Sequence, residues 1–187
     1  MNDKHVKILM AAKDVFEKQG YHGAKVAEIA KKADVGKGTV YEYFESKQVL
    51  FEQMIIFLIQ AGQEYTNKLI ASTDDVIEKL RLISEVQADI IKNHGQLFNV
   101  ILVRLNESSN ELKTLFSKTR DRQLDMIEAL VNQGIESGIF KPCNSKHFAI
   151  VFKGAMLQVH MSQACDGSED EQLKNDIFDN LITSIKS

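Results

Sequence analysis

The sequence is poor in residues that break helices and in segments that could enter a membrane. It contains one proline and no tryptophan in 187 residues, and Leu, Ile, Lys, Glu, Gln and Ala are abundant. Because proline disrupts helices while these residues favour them, the composition predicts an all-α protein. No apolar run approaches the roughly 20 residues of a membrane span. The charged N-terminal segment is also unlike a signal peptide, so we expect a cytoplasmic protein with no membrane contact.

Cysteines and clustered catalytic residues are also scarce. The two cysteines, Cys143 and Cys165, form no Cys-x-x-Cys pair, so we interpret them as packing residues. The five histidines are widely separated, and the HExxH, GxSxG and GxxxxGK[ST] motifs are absent. The GKGT segment resembles the end of a phosphate-binding loop, but the upstream glycine and the preceding strand are missing. The sequence therefore argues against an enzyme and predicts no metal and no cofactor.

Charge is distributed unevenly along the chain. The formal net charge is -3, but residues 1–50 carry +2 and the remaining residues carry -5. A polyanionic partner should therefore meet the N-terminal quarter. No arginine precedes Arg81, so bidentate recognition of guanine by arginine is not available to that segment.

Hydrophobic periodicity predicts about nine helices. The first covers 3–19 and ends at Gly20, and two short helices follow over 26–33 and 39–44. Ser46 is a suitable N-cap for a long fourth helix, and Gly95 separates a fifth helix from a buried sixth. The expected starts of the other later helices are Ser72–Asp75 for the fifth, Ser108 with Glu111 for the seventh, Asn144 or Ser145 for the eighth, and Ser168 with Glu171 for the ninth.

The segment ADVGKGTVYEYFESK, from Ala33 to Lys47, joins two of the short helices through a tight turn. This is the organisation of a helix-turn-helix, which places its second helix in the DNA major groove. The glycines remove side chains where backbone must approach DNA, while the lysines, threonine and tyrosines can contact bases or phosphates. The predicted DNA-contacting residues are Gly36, Lys37, Gly38, Thr39, Tyr41, Tyr43 and Lys47. From spacing alone, a solvated loop before an amphipathic helix is an open alternative.

The longer segment FEKQGYHGAKVAEIAKKADVGKGTVYEYFESKQVLFEQM closely resembles the N-terminal signature of the TetR/AcrR family of bacterial transcriptional regulators. The total length and the GIESGIF segment are also similar to that family. The resemblance implies a homodimer that binds palindromic double-stranded operator DNA, usually as a repressor, and a small-molecule pocket in the larger domain. It covers about residues 5–54 and matches the family's DNA-contacting positions at Lys37, Gly38, Thr39, Tyr41, Tyr43 and Lys47.

Two positions depart from the family pattern. Val26 replaces a threonine that caps the second helix and touches phosphate, so we expect this contact to move to Lys25 or to the backbone. Asp34 replaces the glycine of the turn, where a left-handed conformation is needed. Aspartate tolerates that conformation better than most residues, so we expect the turn to form.

We expect residues 1–47 to form the helix-turn-helix domain and residues 48–187 to form a helical ligand-binding and dimerisation domain. The apolar content of the larger domain suits a hydrophobic or amphipathic ligand, and the sequence more loosely resembles the acyl-CoA-responsive fatty-acid regulators of the family. Whether the ligand is an inducer or a corepressor stays open. The candidate pocket residues are Phe57, Tyr65, Phe98, Leu102, Arg104, Gln123 and Met126.

The last two helices carry apolar stripes that suit a dimer interface formed as a four-helix arrangement. The alternative is that both stripes face the chain's own core. The candidate interface residues are Phe152, Met156, Val159, Leu173, Ile177 and Leu181. An alternative hypothesis about function also stays open, in which the helix-turn-helix no longer binds DNA and the protein is a helical module that binds other proteins.

Overall fold

A computed structural model describes residues 3–166 and 170–187, and in these residues the predicted all-α fold is confirmed. The only β-type pairing in the described part is a single bridge between Phe140 and Lys186. None of the described helices combines the length and apolar character of a membrane span. The helices are α1 (Asp3–Gly23), α2 (Val26–Lys32), α3 (Lys37–Tyr43), α4 (Lys47–Ile70), α5 (Val76–Leu105), α6 (Asn110–Glu136), α7 (Ser145–Asp166) and α8 (Glu171–Ile185).

Local signals in the N-terminal segment predicted the backbone well. Gly20 has φ +69° and interrupts α1, which continues for one more turn to Gly23. Asp34 has φ +54°, so the left-handed turn expected at this position is confirmed. The Ser46 hydroxyl accepts a hydrogen bond from the Val49 N–H at 3.1 Å, as an N-cap of α4 does.

The predicted fifth and sixth helices form one element. α5 runs from Val76 to Leu105, but His94 (φ -135°, ψ 20°) is non-helical, so a kink separates its two halves one residue before the break predicted at Gly95. The described residues therefore contain eight helices rather than about nine.

Two helix starts differ from the predicted capping boxes. Ser109, not Ser108, caps α6, since its hydroxyl accepts from the Leu112 N–H at 3.2 Å while the Ser108 hydroxyl donates to the Arg104 carbonyl. Asp170 caps α8 by accepting from the Leu173 N–H at 2.9 Å, and the predicted cap at Ser168 lies outside the described residues.

Two other boundaries follow the sequence. The Asn144 carboxamide oxygen accepts from the His147 N–H at 2.9 Å, so the predicted start of α7 is confirmed. α6 ends at Glu136, next to Gly138 with φ +72°.

The chain divides into two compact units. The first contains the residues up to Gln63 together with His94–Phe116, and the second contains Glu64–Asn93 and Ser117–Ser187. The second half of α5 and the start of α6 thus pack with the helix-turn-helix. The boundary after Lys47, which separates the two domains in the sequence, stays a prediction.

Each unit has its own apolar core. The core of the first is built on α1, α2 and the N-terminal half of α4, with Leu97, Ile101 and Leu112 packed against them. The core of the second is built on α7 and α8, where Phe152 lies edge-on to Phe178 with ring centroids 5.8 Å apart. Leu80, Ile127 and Val131 complete this second core.

Candidate nucleic-acid interface

The short helix α3 is anchored on one side and exposed on the other. Val40 and Phe44 are 1% and 2% exposed and pack in the core of the first unit. Lys37, Gly38 and Tyr41 lie on the solvent side. The apolar contacts fix the direction of α3, so its polar residues project from a rigid support.

Lys37 and Tyr41 form one polar patch on that exposed side. The Lys37 ammonium lies 5.9 Å from the centroid of the Tyr41 ring, one helical turn further on. The patch thus offers an ammonium group and a phenol hydroxyl, and both can donate hydrogen bonds to phosphate oxygens or to the acceptor atoms of guanine.

No close contact within the chain requires a glycine at either of the two positions at the start of α3. A Cβ added at Gly38 would meet no atom within 4 Å, and one at Gly36 would make an ordinary contact with the Thr39 hydroxyl at 3.7 Å. Neither glycine has a positive φ. Gly38 lies inside α3, where glycine costs roughly 0.5–1 kcal/mol relative to alanine. The missing side chains leave room at this surface for a partner from outside the chain.

Lys47 is turned towards the end of α1. Its ammonium donates to the His22 carbonyl at 3.3 Å and lies 4.8 Å from the centroid of the Tyr21 ring. Burial lowers the pKa of Lys47, and the positive charge of Arg104 lowers it further. The side chain of Lys47, which is predicted to contact a DNA phosphate, is therefore held by contacts within the protein.

The remaining predicted DNA contacts lie in different environments. Lys25 is exposed and occupies the N-cap of α2 without a side-chain cap bond. Its expected phosphate contact, in place of the threonine replaced by Val26, stays a prediction. Thr39 is half-buried. Tyr43 is also half-buried and packs against the core, with its ring 5.9 Å from the ring of His5.

Two side-chain contacts join α5 to α1, and neither could be predicted from the sequence. The Arg104 guanidinium lies 4.0 Å from the centroid of the Tyr21 ring, so Tyr21 is in contact with two cations. His94, at the kink of α5, places Nδ1 3.2 Å from a carboxylate oxygen of Glu17. These pairs are separated by 83 and 77 residues in the chain, so no local pattern could reveal them.

Comparison with known proteins accounts for both parts of the chain. The model for bacterial regulatory proteins of the tetR family matches residues 8–54, and the model for the tetracyclin repressor-like C-terminal domain matches residues 73–174. The chain belongs to the TetR family. This TetR-family protein is a helix-turn-helix transcriptional regulator, as predicted.

Individual relatives are similar over most of their length. The fatty acid metabolism regulator protein of Bacillus subtilis (strain 168) is 29% identical over 143 residues, which cover 74% of this chain and 71% of the relative. The structure of FadR from Bacillus subtilis in complex with stearoyl-CoA has a TM-score of 0.74 at 23% identity, covering 96% of this chain and 98% of that one. AibR in complex with isovaleryl coenzyme A and operator DNA has a TM-score of 0.69 at 18% identity, covering 98% of each chain. The relatives named here are regulators rather than enzymes, and at these identities the structural likeness shows the shared fold.

The predicted pocket residues of this TetR-family regulator lie in both units. In the first unit Arg104 contacts Tyr21 and also pairs with Glu107, so its guanidinium is engaged at the end of α1. The other candidates of that unit are Phe57 and Phe98, both half-buried, and Leu102, which is 45% exposed. Those of the second unit are Tyr65, which is 56% exposed, Gln123, which accepts from Lys153, and the half-buried Met126. A shared pocket stays a prediction.

The candidate dimer residues of the TetR-family chain differ in how much surface they offer. Phe152 and Met156 are 1% exposed and belong to the core of the second unit, and Val159 is 6% exposed, so these three present almost no surface to a partner. Leu173 is 44% exposed, and Ile177 and Leu181 are half-buried. α7 also exposes two apolar residues that the sequence did not single out, Ile150 and Val151.

Proposed function

We propose that this regulator is a cytoplasmic, non-enzymatic repressor that binds palindromic operator DNA as a homodimer and is released by a long-chain acyl-CoA. In this proposal residues 1–47 bind DNA and residues 48–187 bind the ligand and form the dimer. The observation that supports this DNA-binding face is the pair of exposed glycines that flank Lys37, because neither a close contact nor a positive φ within the chain requires them.

The contact with DNA follows from that face. Glycines at the start of α3 let its backbone approach the floor of the major groove, while Lys37 and Tyr41 donate to base or phosphate acceptors. Lys47 joins them by leaving its bond with the His22 carbonyl for a phosphate, which is the stronger, charge-assisted partner. Each phosphate contact made by a lysine releases a counterion, so affinity falls with salt.

The first experiment measures operator affinity by fluorescence anisotropy across a salt series, with DNA selected from a random pool. Lys37→Ala should weaken binding on the order of ten-fold and Gly38→Ala should weaken it by a similar factor, because a methyl group occupies the space that DNA needs. Lys118→Ala removes the same charge from an exposed site on α6 and is the matched control. Unchanged affinity in both α3 variants would remove α3 from the interface.

The homodimer is supported by the apolar surface of α7 and α8. Ile150, Val151 and Leu173 are 51%, 56% and 44% exposed, and α7 and α8, which carry them, pack on each other, so both helices offer apolar surface to a two-fold interface. Two copies are also required to reach half-sites about 34–36 Å apart on DNA.

The acyl-CoA ligand is supported by the compounds bound in two similar structures, since FadR was solved with stearoyl-CoA and AibR with isovaleryl coenzyme A. The operator complex is therefore titrated with stearoyl-CoA, free coenzyme A and stearate. Release by stearoyl-CoA alone is expected, because it combines the apolar chain with the anionic head group. Tighter DNA binding in its presence would identify a corepressor, and no effect of any of the three would refute this ligand class.

A protein-interaction module is the second candidate function, and the exposed residues of α7 and α8 would serve it equally well. It predicts that no DNA from the random pool is retained even at low ionic strength. A steep loss of DNA affinity with added salt would contradict it.

A further inference from the structure

Ser84 of α5 and His160 of α7 form a polar pair inside the second unit. Both are 3% exposed, and they are the only buried polar residues found in the described part of the chain. The Ser84 hydroxyl lies 3.2 Å from Nε2 of His160. The other ring nitrogen, Nδ1, is buried and has no hydrogen-bond partner among the described residues.

An unpaired nitrogen at this depth is costly. Leaving a buried donor or acceptor without a partner costs about 1–3 kcal/mol. One helical turn before the pair, Leu80 and Met156 belong to the apolar core, so a phenylalanine at position 160 would suit its surroundings without that cost. Such an unsatisfied group in a native fold calls for an external partner.

The protonation state of His160 determines whether that partner must donate or accept a hydrogen bond. Burial lowers the pKa of His160, and the charge of Lys174 lowers it further, against smaller opposing contributions from Ser84 and Glu171. The imidazole is therefore neutral at pH 7 and carries one N–H. If the Ser84 hydroxyl donates to Nε2, the proton lies on Nδ1, which then donates to an acceptor.

Buried residues near the Ser84–His160 pair in sequence also lie outside the apolar core cluster of the second unit. Ile91 lies seven residues after Ser84, on the same face of α5, and Val159 precedes His160 on α7. Both are 6% exposed, yet neither belongs to the core cluster of its unit. Burial on α5 therefore extends two helical turns beyond Ser84, and the residue before His160 on α7 is buried as well.

From this geometry we infer that Nδ1 of His160, oriented by Ser84, donates a hydrogen bond to the carbonyl oxygen of the bound acyl ligand. The inference rests on the proposed function and adds to it the protein atom, Nδ1 of His160, that distinguishes an acyl chain from an alkyl chain by its carbonyl oxygen. A carbonyl is an acceptor only, so binding selects the ring tautomer that carries the proton on Nδ1. An apolar alkyl chain without a carbonyl leaves that nitrogen unpaired.

The test compares two ligands that differ in this oxygen. Stearoyl-CoA has the thioester carbonyl, and S-octadecyl-CoA has a methylene group in its place. Calorimetric titration of the full-length protein should give a dissociation constant about ten-fold lower for the thioester, the size of one buried hydrogen bond. In His160→Phe the two constants should be equal, whereas the exposed His147→Phe on the same helix should keep the ten-fold preference.

The outcomes separate this inference from the proposed ligand class. Failure of the wild-type protein to bind either compound would refute the acyl-CoA proposal and the inference with it. Equal binding of both by the wild type, or a preference that survives His160→Phe, would refute the inference alone.

A second measurement does not depend on the variant folding. In ¹⁵N NMR spectra of the wild-type protein, the Nδ1–H signal of His160 should shift on addition of the thioester and stay in place with the thioether. Equal shifts with both ligands would overturn the assignment. Ser84→Ala should reduce the thioester preference, because Nε2 then loses the hydroxyl that favours the required tautomer.

Discussion

Gly134 of α6 is the position where an added methyl group should do most harm. A Cβ at Gly134 would lie 3.0 Å from Cγ of Phe140 and closer still to Cδ2 and Cε2 of the same ring. The ring cannot move aside easily, because Phe140 is 1% exposed within the core of the second unit. Its backbone is fixed as well, since the N–H groups of Ile139 and Phe140 both donate to the Gly134 carbonyl.

The expected destabilisation can be estimated from these contacts. Overpacking a core costs about 1–3 kcal/mol, and a clash with a fixed aromatic ring belongs at the upper end. Alanine regains about 1 kcal/mol over glycine inside a helix. The net loss for Gly134→Ala is therefore about 2 kcal/mol, which lowers Tm by roughly 4–8 °C in a chain of this size.

Gly62→Ala is the matched control. Gly62 lies inside α4, outside the proposed dimer interface, and its added Cβ would meet no atom within 4 Å. This variant should gain up to about 1 kcal/mol and melt at a higher temperature. Thermal unfolding followed by circular dichroism, at one fixed protein concentration, compares the two. The reasoning fails if Gly134→Ala melts at or above the wild-type temperature, or if both glycine variants shift in the same direction.

Three further predictions concern charge and assembly. Arg104→Ala should raise the pKa of Lys47, measured by NMR titration of its side chain, because one of the two causes that lower it is removed, while Arg104→Lys should leave it low. Burial raises the pKa of Glu52, but hydrogen bonds, chiefly from Ser109, outweigh burial and hold this pKa below 4.5. The ionised Glu52 carboxylate therefore stabilises the fold above pH 4.5, and this stabilisation is lost as the pH falls through the lower pKa of the folded state. Urea unfolding from pH 7 to pH 3 should therefore show a shallower acid decline for Glu52→Gln, and parallel declines would contradict this. Val151→Asp should give monomers in sedimentation, whereas the equally drastic Val103→Asp on α5 should leave dimers.

Local interactions explain which features could be predicted from the sequence. The left-handed Asp34, the Ser46 cap and the start of α7 each depend on residues within a few positions, so a single segment contains all the information. Adjacent alternatives were harder to separate. Ser108 and Ser109 have the same capping chemistry, and only the packing of α6 decides that Ser109 is the cap.

The sequence could not tell which face of α7 is internal. α7 carries apolar residues on every side, so periodicity gave no preferred direction, and the candidate dimer residues Phe152 and Met156 belong to the core instead. Ile150 and Val151 are exposed because the aromatic residues of α7 pack against α8. The same ambiguity applies to the candidate pocket residues, because periodicity does not separate side chains that line a pocket from those that fill the core.

The helices, the helix-turn-helix and the TetR-family signature can be predicted from the amino-acid order alone, because they depend on short-range spacing and backbone preference. The contacts of Tyr21 with Lys47 and Arg104, and of Ser84 with His160 across 76 residues, arise only in the folded protein. Such contacts are made when helices pack, and their energy depends on burial and on neighbouring charge. Neither quantity exists in a chain before it folds.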